Sequence, residues 1–250
     1  MSKTIKILSL NTHKGFSHFN TRFVLSEIRD ALRSVSPDIV FLQEVLGENH
    51  MRTLSFPGAT KKSHYEYLAD SIWSDYAYGK NAVYPQGHHG NAILSKFPIH
   101  STQHRDISTH ALEQRGILHC KLSIPGQRPV HCVCVHLNLL SFHREQQFRS
   151  IVEFVKKEIP PEDSLILAGD LNDWNLRAGD LLARPLKLAE AFQQANGKLA
   201  FSYPCYFPLL KLDRIYLRNF KAETAEVLSS SPWRLLSDHA ALLTEVVILS

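Results

Sequence analysis

Cysteine is scarce in this chain, with four among 250 residues: Cys120, Cys132, Cys134 and Cys205. Two of them stand two apart in a strand-like run, where pairing them to each other would strain the backbone, so no disulfide scaffold is expected. A reduced, cytoplasmic setting fits this usage. Long apolar runs are also missing. The opening MSKTIKILSLNTHKG has no stretch long enough for a signal peptide, and no later segment is long enough to span a bilayer, so stable membrane insertion is not expected. Charge of one sign is not in excess either: 28 basic against 24 acidic side chains leave a formal +4, unlike the dense basic tails that hold nucleic acid nonspecifically. Low-complexity tracts, linkers and short repeats are absent, and no feature implies a protein partner. What remains is a chain of 44% hydrophobic composition, enough for one sizeable core, so residues 1–250 are expected to form a single domain. Its fourteen histidines would make a local surface far more positive than +4 if several clustered and took up protons.

Apolar alternation at Ile5 and Ile7, continued by Leu8 and Leu10, predicts an opening strand. Val24, Leu25, Ile28, Leu32 and Val35 then repeat at helical spacing behind Asn20 or Thr21 as the cap. Ser36-Pro37-Asp38 stops this helix, and Ile39 to Leu42 is a short apolar run that delivers Gln43 and Glu44 at its tip. A polar middle section follows. Runs at Tyr76–Tyr84, Asn91–Ser95, Gly116–Ile124 and Val130–Leu139 read as neighbouring antiparallel strands. Ser141–Ile159 is predicted helical through Phe148, Ile151, Val152 and Val155, and Pro160-Pro161 ends it. Leu165–Ala168 is a further strand leading into Gly169-Asp170-Leu171-Asn172. The last strands are placed at Leu212–Leu217 and Ala240–Leu249. Together these elements predict an α/β chain with a two-layer sheet core covered by helices.

Polar side chains recur where the strands end: Asn11, Glu44, His136, Asp170 with Asn172, Asp213, and Asp238 with His239. Singly, each has an ordinary explanation, Asn11 as a turn former, Asp213 as a partner for Arg214, Asp238 as a cap. Repetition at one strand end after another does not. Ionised carboxylates beside apolar strands are costly unless paired or bound to a cation, and the hard oxygens of Glu44 and Asp238 suit Mg²⁺ or Mn²⁺.

In chain order the fragments LSLNTHKG, DIVFLQEV, HHGNAILSKFPI, VCVHLNL, LAGDLND, KLDRIY and LSDHAAL resemble the endonuclease/exonuclease/phosphatase superfamily, the DNase I-like fold, over nearly the whole chain. The resemblance implies a four-layer sandwich of two mixed β-sheets flanked by helices, with strand-end loops meeting over the site. It also implies a metal-dependent hydrolase. Carried over by position, Glu44 would be the principal ligand of Mg²⁺ or Mn²⁺, assisted by Asn11 and Asp238. Asp170 would orient or deprotonate the attacking water. Asn172 and His136 would donate to phosphoryl oxygens, and His239, held by Asp213, would do the same or move a proton. Asn91 is carried over as a substrate-binding position, and Arg115, preceding a strand, either binds a second phosphate as a substrate-binding residue or is an ordinary surface charge. Phosphoryl transfer needs chiefly alignment and positive charge against the developing oxyanion, which a cation and two imidazoles supply.

Other candidates have ordinary alternatives. Cys132, Cys134 and His136 alternate on one strand face but lack a fourth ligand of suitable spacing, so core packing is the reading and no zinc site is expected. His88 and His89 either touch substrate or lie in an exposed loop. Arg144 and Gln147 are read as structural. Trp73, Tyr76, Tyr78, Lys80 and Tyr84 either line a nucleic-acid groove or pack on a strand face. The substrate is expected to be a phosphodiester, in a nucleic acid or a phospholipid headgroup, attacked directly by water because no nucleophile elbow is present. Asp213-Arg214-Ile215 is similar to the Asp-Arg-Ile of inositol-phosphate phosphatases, so a phosphomonoesterase of inositol or lipid phosphates is the alternative. A non-catalytic binding protein on the same scaffold is a third reading.

Overall fold

Four central strands are apolar on both faces, which requires cover on both sides. Ile5, Ile7, Ile39 and Phe41 belong to one buried cluster, while Leu8, Leu10, Val40 and Leu42 belong to another. The same split separates Cys132, Cys134, Ile166 and Ala168 from Val133, Val135, Leu165 and Leu167. The protein's computed structural model describes residues 4–18, 21–49, 62–70, 72–84, 87–110 and 113–249.

The described elements run β1 (Thr4–Asn11), α1 (Leu25–Val35), β2 (Ile39–Asn49), α2 (His64–Ala69), β3 (Asp75–Tyr84) and β4 (Gly87–Ser95). Then come β5 (Ile99–Asp106), β6 (Gly116–Leu122), β7 (Val130–His136), α3 (Ser141–Glu158) and β8 (Ser164–Asp170). The remainder is α4 (Arg184–Leu186), β9 (Ala189–Glu190), α5 (Ala191–Asn196), β10 (Asp213–Arg218), β11 (Phe220–Leu228) and β12 (Ala241–Ile248). Two six-stranded sheets result, ordered β11-β12-β1-β2-β4-β3 and β5-β6-β7-β8-β10-β9. Each is mixed, with one parallel pair at its centre, β1 with β2 and β7 with β8. Each parallel pair is joined by a helix: α1 packs on the outer face of the first sheet and α3 on that of the second. The third cluster fills the space between the sheets. The expected four-layer, DNase I-like sandwich is the observed architecture.

Several boundaries differ from the sequence-based expectations. The helix α1 begins at Leu25 with Val24 at its N-cap, and Asn20, one of the two expected caps, lies outside the described residues. Its end is as expected, because Ser36 takes a left-handed backbone (φ 48°). Strand β7 stops at His136 rather than Leu139, since Asn138 N turns to Gln147 Oε1 at 2.9 Å. The runs expected to be neighbours fall in two sheets, with β3 pairing β4 in one and β6 pairing β7 in the other. Between them lies β5, which carries no apolar alternation because it is an exposed edge strand. The other unforeseen long strand, β11, is the opposite edge of the first sheet.

Candidate active site

Residues alternate between the two faces of a strand, so the face that packs between the sheets continues to the strand's end. Asn11, His136, Asp170 and Asp213 are all inward positions of that kind, following Ile7, Cys134, Ala168 and preceding Ile215 of the inter-sheet core. His136 is opposite Asp170 in the parallel pair β7–β8, and Asp170 is opposite Asp213 in the antiparallel pair β8–β10. Three strand ends therefore place one imidazole and two carboxylates in a row. Gly169 makes this row possible. A Cβ there would lie 1.9 Å from Val135 O, and its φ of +147° is one that side chains rarely adopt. Glu44 arrives from the other sheet through a β-bulge, where the register shifts between Leu42 and Val45 and Glu44 itself has φ 54°.

Asn11, Glu44, His136, Asp170 and Asn172 line a cavity of about 300 Å³ together with His13, Lys14, Arg115, Leu139, Trp174, Tyr203, Leu210, Leu212, Asp238 and His239. Asp170 is its polar centre. Oδ1 accepts from Asn172 N at 2.9 Å, Oδ2 accepts from Asn11 Nδ2 at 3.2 Å, and the Nε2 atoms of His136 and His239 stand 3.5 and 3.7 Å from Oδ2. Burial pushes the Asp170 carboxyl up to about 6, against the pull of the His239 charge. Asp213 sits behind the cavity wall and holds His239 Nδ1 at 2.8 Å. Burial lowers His239, but the carboxylates of Asp213 and Asp170 outweigh it and raise the imidazole to about 10. His136 moves the opposite way, well below its ordinary value, through burial and the positive charges of Arg115 and His239. One imidazole is thus held charged and its neighbour neutral.

The expected ligands Asn11, Glu44 and Asp238 face the same cavity. In the structure, Lys14 Nζ stands 3.7 Å from Glu44 Oε2 and His13 Nδ1 stands 3.0 Å from Asp238 Oδ1. Asp238 is carried by a loop fastened through Ser237, whose Oγ donates to Asn11 O at 2.7 Å and accepts from His239 N at 3.2 Å. A second donor group that could hold a metal ion is Asp170, Asp213 and His239. In that group His239 Nδ1 is already turned to Asp213 Oδ2 at 2.8 Å, and the oxygens of Asn11, Glu44 and Asp238 are the better fit to a hard divalent ion.

Other candidates divide clearly. Arg115 is in the cavity wall with its side chain 12% exposed, bonded to Glu113 Oε1 at 3.0 Å. Arg214 instead points to the outer face of its sheet, as the period of β10 requires, beside Glu190 and Tyr216. Asn91 is fully buried below the cavity and bridges the sheets, its Nδ2 reaching Gly116 O at 3.1 Å and Cys134 O at 3.3 Å. His88 is neither substrate-facing nor exposed: it is buried, with Nδ1 2.9 Å from Tyr78 Oη. Trp73, buried, donates Nε1 to Pro37 O, and Tyr78 stacks on Tyr65, so neither belongs to the cavity lining. Cys132 and Cys134 are fully buried core thiols. Arg144 is structural in a specific way, donating to Leu139 O at 2.8 Å and Asn175 Oδ1 at 2.7 Å while covering the Trp174 ring. His13, Lys14, Trp174 and Tyr203 were not foreseen. The first three lie within four residues of Asn11 or Asp170, which was the available signal, whereas nothing local marks Tyr203.

The chain is similar to known proteins in sequence and in fold. The model of the Endonuclease/Exonuclease/phosphatase family matches residues 9–239. "Uncharacterized protein YbhP" of Escherichia coli strain K12 is 47% identical over 244 residues, covering 97% of this chain and 96% of that protein. Among solved structures, an endonuclease/exonuclease/phosphatase from Beutenbergia cavernae is similar with a TM-score of 0.77 at 17% identity, covering 99% of this chain and 72% of its own. TDP2 of D. rerio, complexed with single strand DNA product, is similar with a TM-score of 0.73 at 19% identity, covering 98% of this chain and 99% of its own. At these identities the structural likeness concerns the fold alone.

Proposed function

The chain belongs to the endonuclease/exonuclease/phosphatase family, whose members are generally hydrolases acting on phosphate esters, and we propose that it is a divalent-metal-dependent phosphodiesterase. Its substrate would be a nucleic acid or a phospholipid headgroup, and water would attack phosphorus directly. One observation carries this reading: the buried His239, fixed between Asp213 at 2.8 Å and Asp170 at 3.7 Å, beside a neutral His136.

In this reading Asp170 aligns the water and takes its proton as the oxygen bonds to phosphorus. His239 Nε2 stands next to the same carboxylate oxygen, so its positive charge is directed at the phosphoryl oxygens on the side of attack. His136 and Asn172 add neutral hydrogen bonds, and Arg115 adds a further charge. The departing oxygen takes a proton from solvent as the ester bond breaks, and the proton gained by Asp170 returns to solvent, so the net reaction consumes one water. Glu44, with Asn11 and Asp238, would hold Mg²⁺ or Mn²⁺, which supplies charge for the phosphoryl and departing oxygens; Lys14 and His13 would withdraw from the two carboxylates. The site draws on both sheets, which supports treating residues 1–250 as one catalytic domain. Four free, buried thiols support a cytoplasmic setting.

A phosphomonoesterase of inositol or lipid phosphates remains the second reading, favoured by Lys14 and Arg115 both lining the cavity. The pairing of Arg115 with Glu113 favours the diester, whose single charge needs fewer free cations. The test is single-turnover hydrolysis of bis(p-nitrophenyl) phosphate and of p-nitrophenyl phosphate in isotopically labelled water. The diester should be cleaved faster, with the label in the phosphate product. Faster monoester hydrolysis would overturn the substrate class, and unlabelled product would overturn direct attack.

A further inference from the structure

Exposed apolar side chains are concentrated around the mouth of the cavity. Among the described residues, ten of the fourteen large hydrophobic side chains that face solvent fall on three segments, 139–142, 174–176 and 201–210. Each segment contributes to the cavity wall, through Leu139, Trp174 and Tyr203 with Leu210. The outermost side chains are not part of that wall: Phe207 is 71% exposed, Phe142 69%, Leu140 60% and Leu209 59%. Apolar side chains clustered on segments that line one cavity mark a surface that meets a partner.

The rim is held in place by backbone. Arg144, buried beneath it, bonds the first segment at Leu139 O and the second at Asn175 Oδ1. In the third, Leu209 N and Leu210 N both donate to Tyr203 O at 2.8 Å, Phe207 N donates to Pro204 O at 3.2 Å, and Cys205 N donates to Asp238 O at 2.8 Å. The backbone that carries Phe207 and Leu209 is therefore fixed in this turn. Charge adds a second constraint. The stretches 139–143, 174–178 and 201–211 contain Arg177 and Lys211 but no Asp or Glu, and Lys211 Nζ lies 4.7 Å over the Phe201 ring.

We propose that these three segments form a docking collar for an anionic phospholipid bilayer, so that the substrate is a phospholipid whose headgroup phosphodiester enters the cavity from the membrane surface. The substrate half of this rests on the phosphodiesterase reading above. Five of the ten rim side chains are leucines, which have no stacking face for a base, and the other five are aromatic; all ten lose exposure favourably against acyl chains. A polymer of nucleotides would also need a track of cations along the rim, where two are available. A bilayer fits both features, apolar tips below and Arg177 and Lys211 at the level of anionic headgroups. Hydrolysis of either ester bond adds the hydroxyl of water to phosphorus and leaves a proton on the departing alcohol.

The test uses the full chain and vesicles of phosphatidylcholine with and without phosphatidylglycerol. Co-sedimentation should occur with the anionic vesicles, and Phe142→Asp combined with Phe207→Asp should weaken it by roughly tenfold or more. Neither residue lines the cavity, so bis(p-nitrophenyl) phosphate hydrolysis in solution should stay unchanged while phosphatidylglycerol hydrolysis in vesicles falls by a similar factor. No association with anionic vesicles, or association that the double variant leaves intact, would overturn the collar. Faster cleavage of a single-stranded oligonucleotide than of vesicle lipid, lost in the double variant, would reassign the rim to nucleic acid. If the soluble diester is not cleaved at all, the phosphodiesterase reading fails, while vesicle association still decides the collar.

Discussion

Replacing Asp213 by Asn keeps the shape of the 2.8 Å contact with His239 Nδ1 and removes its negative charge. In the native protein the ring is raised from 6.5 to about 10 despite its burial, a preference for the imidazolium on the order of 5 kcal/mol. The sign follows from the raised value. This contribution to folding stability is fully present below about pH 6.5 and is lost as pH climbs through about 10. In Asp213→Asn the burial remains and the chief charge that opposed it is gone, so the ring falls back toward its ordinary range. At about pH 8 a ring of ordinary pKa is only about 3% protonated, so kcat/KM should drop at least about thirtyfold there, but less than about twofold near pH 6 from loss of charge alone. The native profile should rise through about pH 6 as Asp170 ionises and fall through about pH 10 as His239 loses its proton. The assay is kcat/KM for bis(p-nitrophenyl) phosphate from about pH 5 to about pH 11, with thermal unfolding followed at both ends. Asp213→Asn combined with His239→Ala should be no slower than His239→Ala, because both serve one imidazole. A loss of equal size at acid and alkaline pH, with the limbs unmoved, would refute the claim that Asp213 keeps the proton on His239.

Two further outcomes are expected. Activity should vanish in excess chelator and return with Mg²⁺ or Mn²⁺, and Glu44→Ala should raise the metal concentration needed for half-maximal rate; full activity in chelator would sink the metal assignment. Gly169→Ala forces a Cβ to within 1.9 Å of Val135 O at φ +147°, so it should cost several kcal/mol, roughly 3 or more, read as a lower Tm, and an unchanged Tm would show that β7 and β8 can separate without penalty.

Legibility varied with burial. The central strands could be read because both faces are apolar, and the edge strands β5 and β11 could not because β5 is exposed along its length and β11 along half of it. Period alone placed Arg214 opposite Asp213, yet local sequence offered no way to say which of the two faced the cavity. The chain by itself determined that polar groups would stand at the ends of apolar strands, and the family resemblance named the four-layer fold, because strand period and strand termini are local properties. Only the tertiary structure decided that Asp170 would be shared by Asn11, His136 and His239, that Asn91 would tie the two sheets together below the cavity instead of lining it, and that Leu140, Phe142 and Phe207 would gather at one mouth. Those contacts join residues as much as 159 positions apart, and which side chains meet across such a separation depends on how two sheets face each other, a relation that no local period encodes.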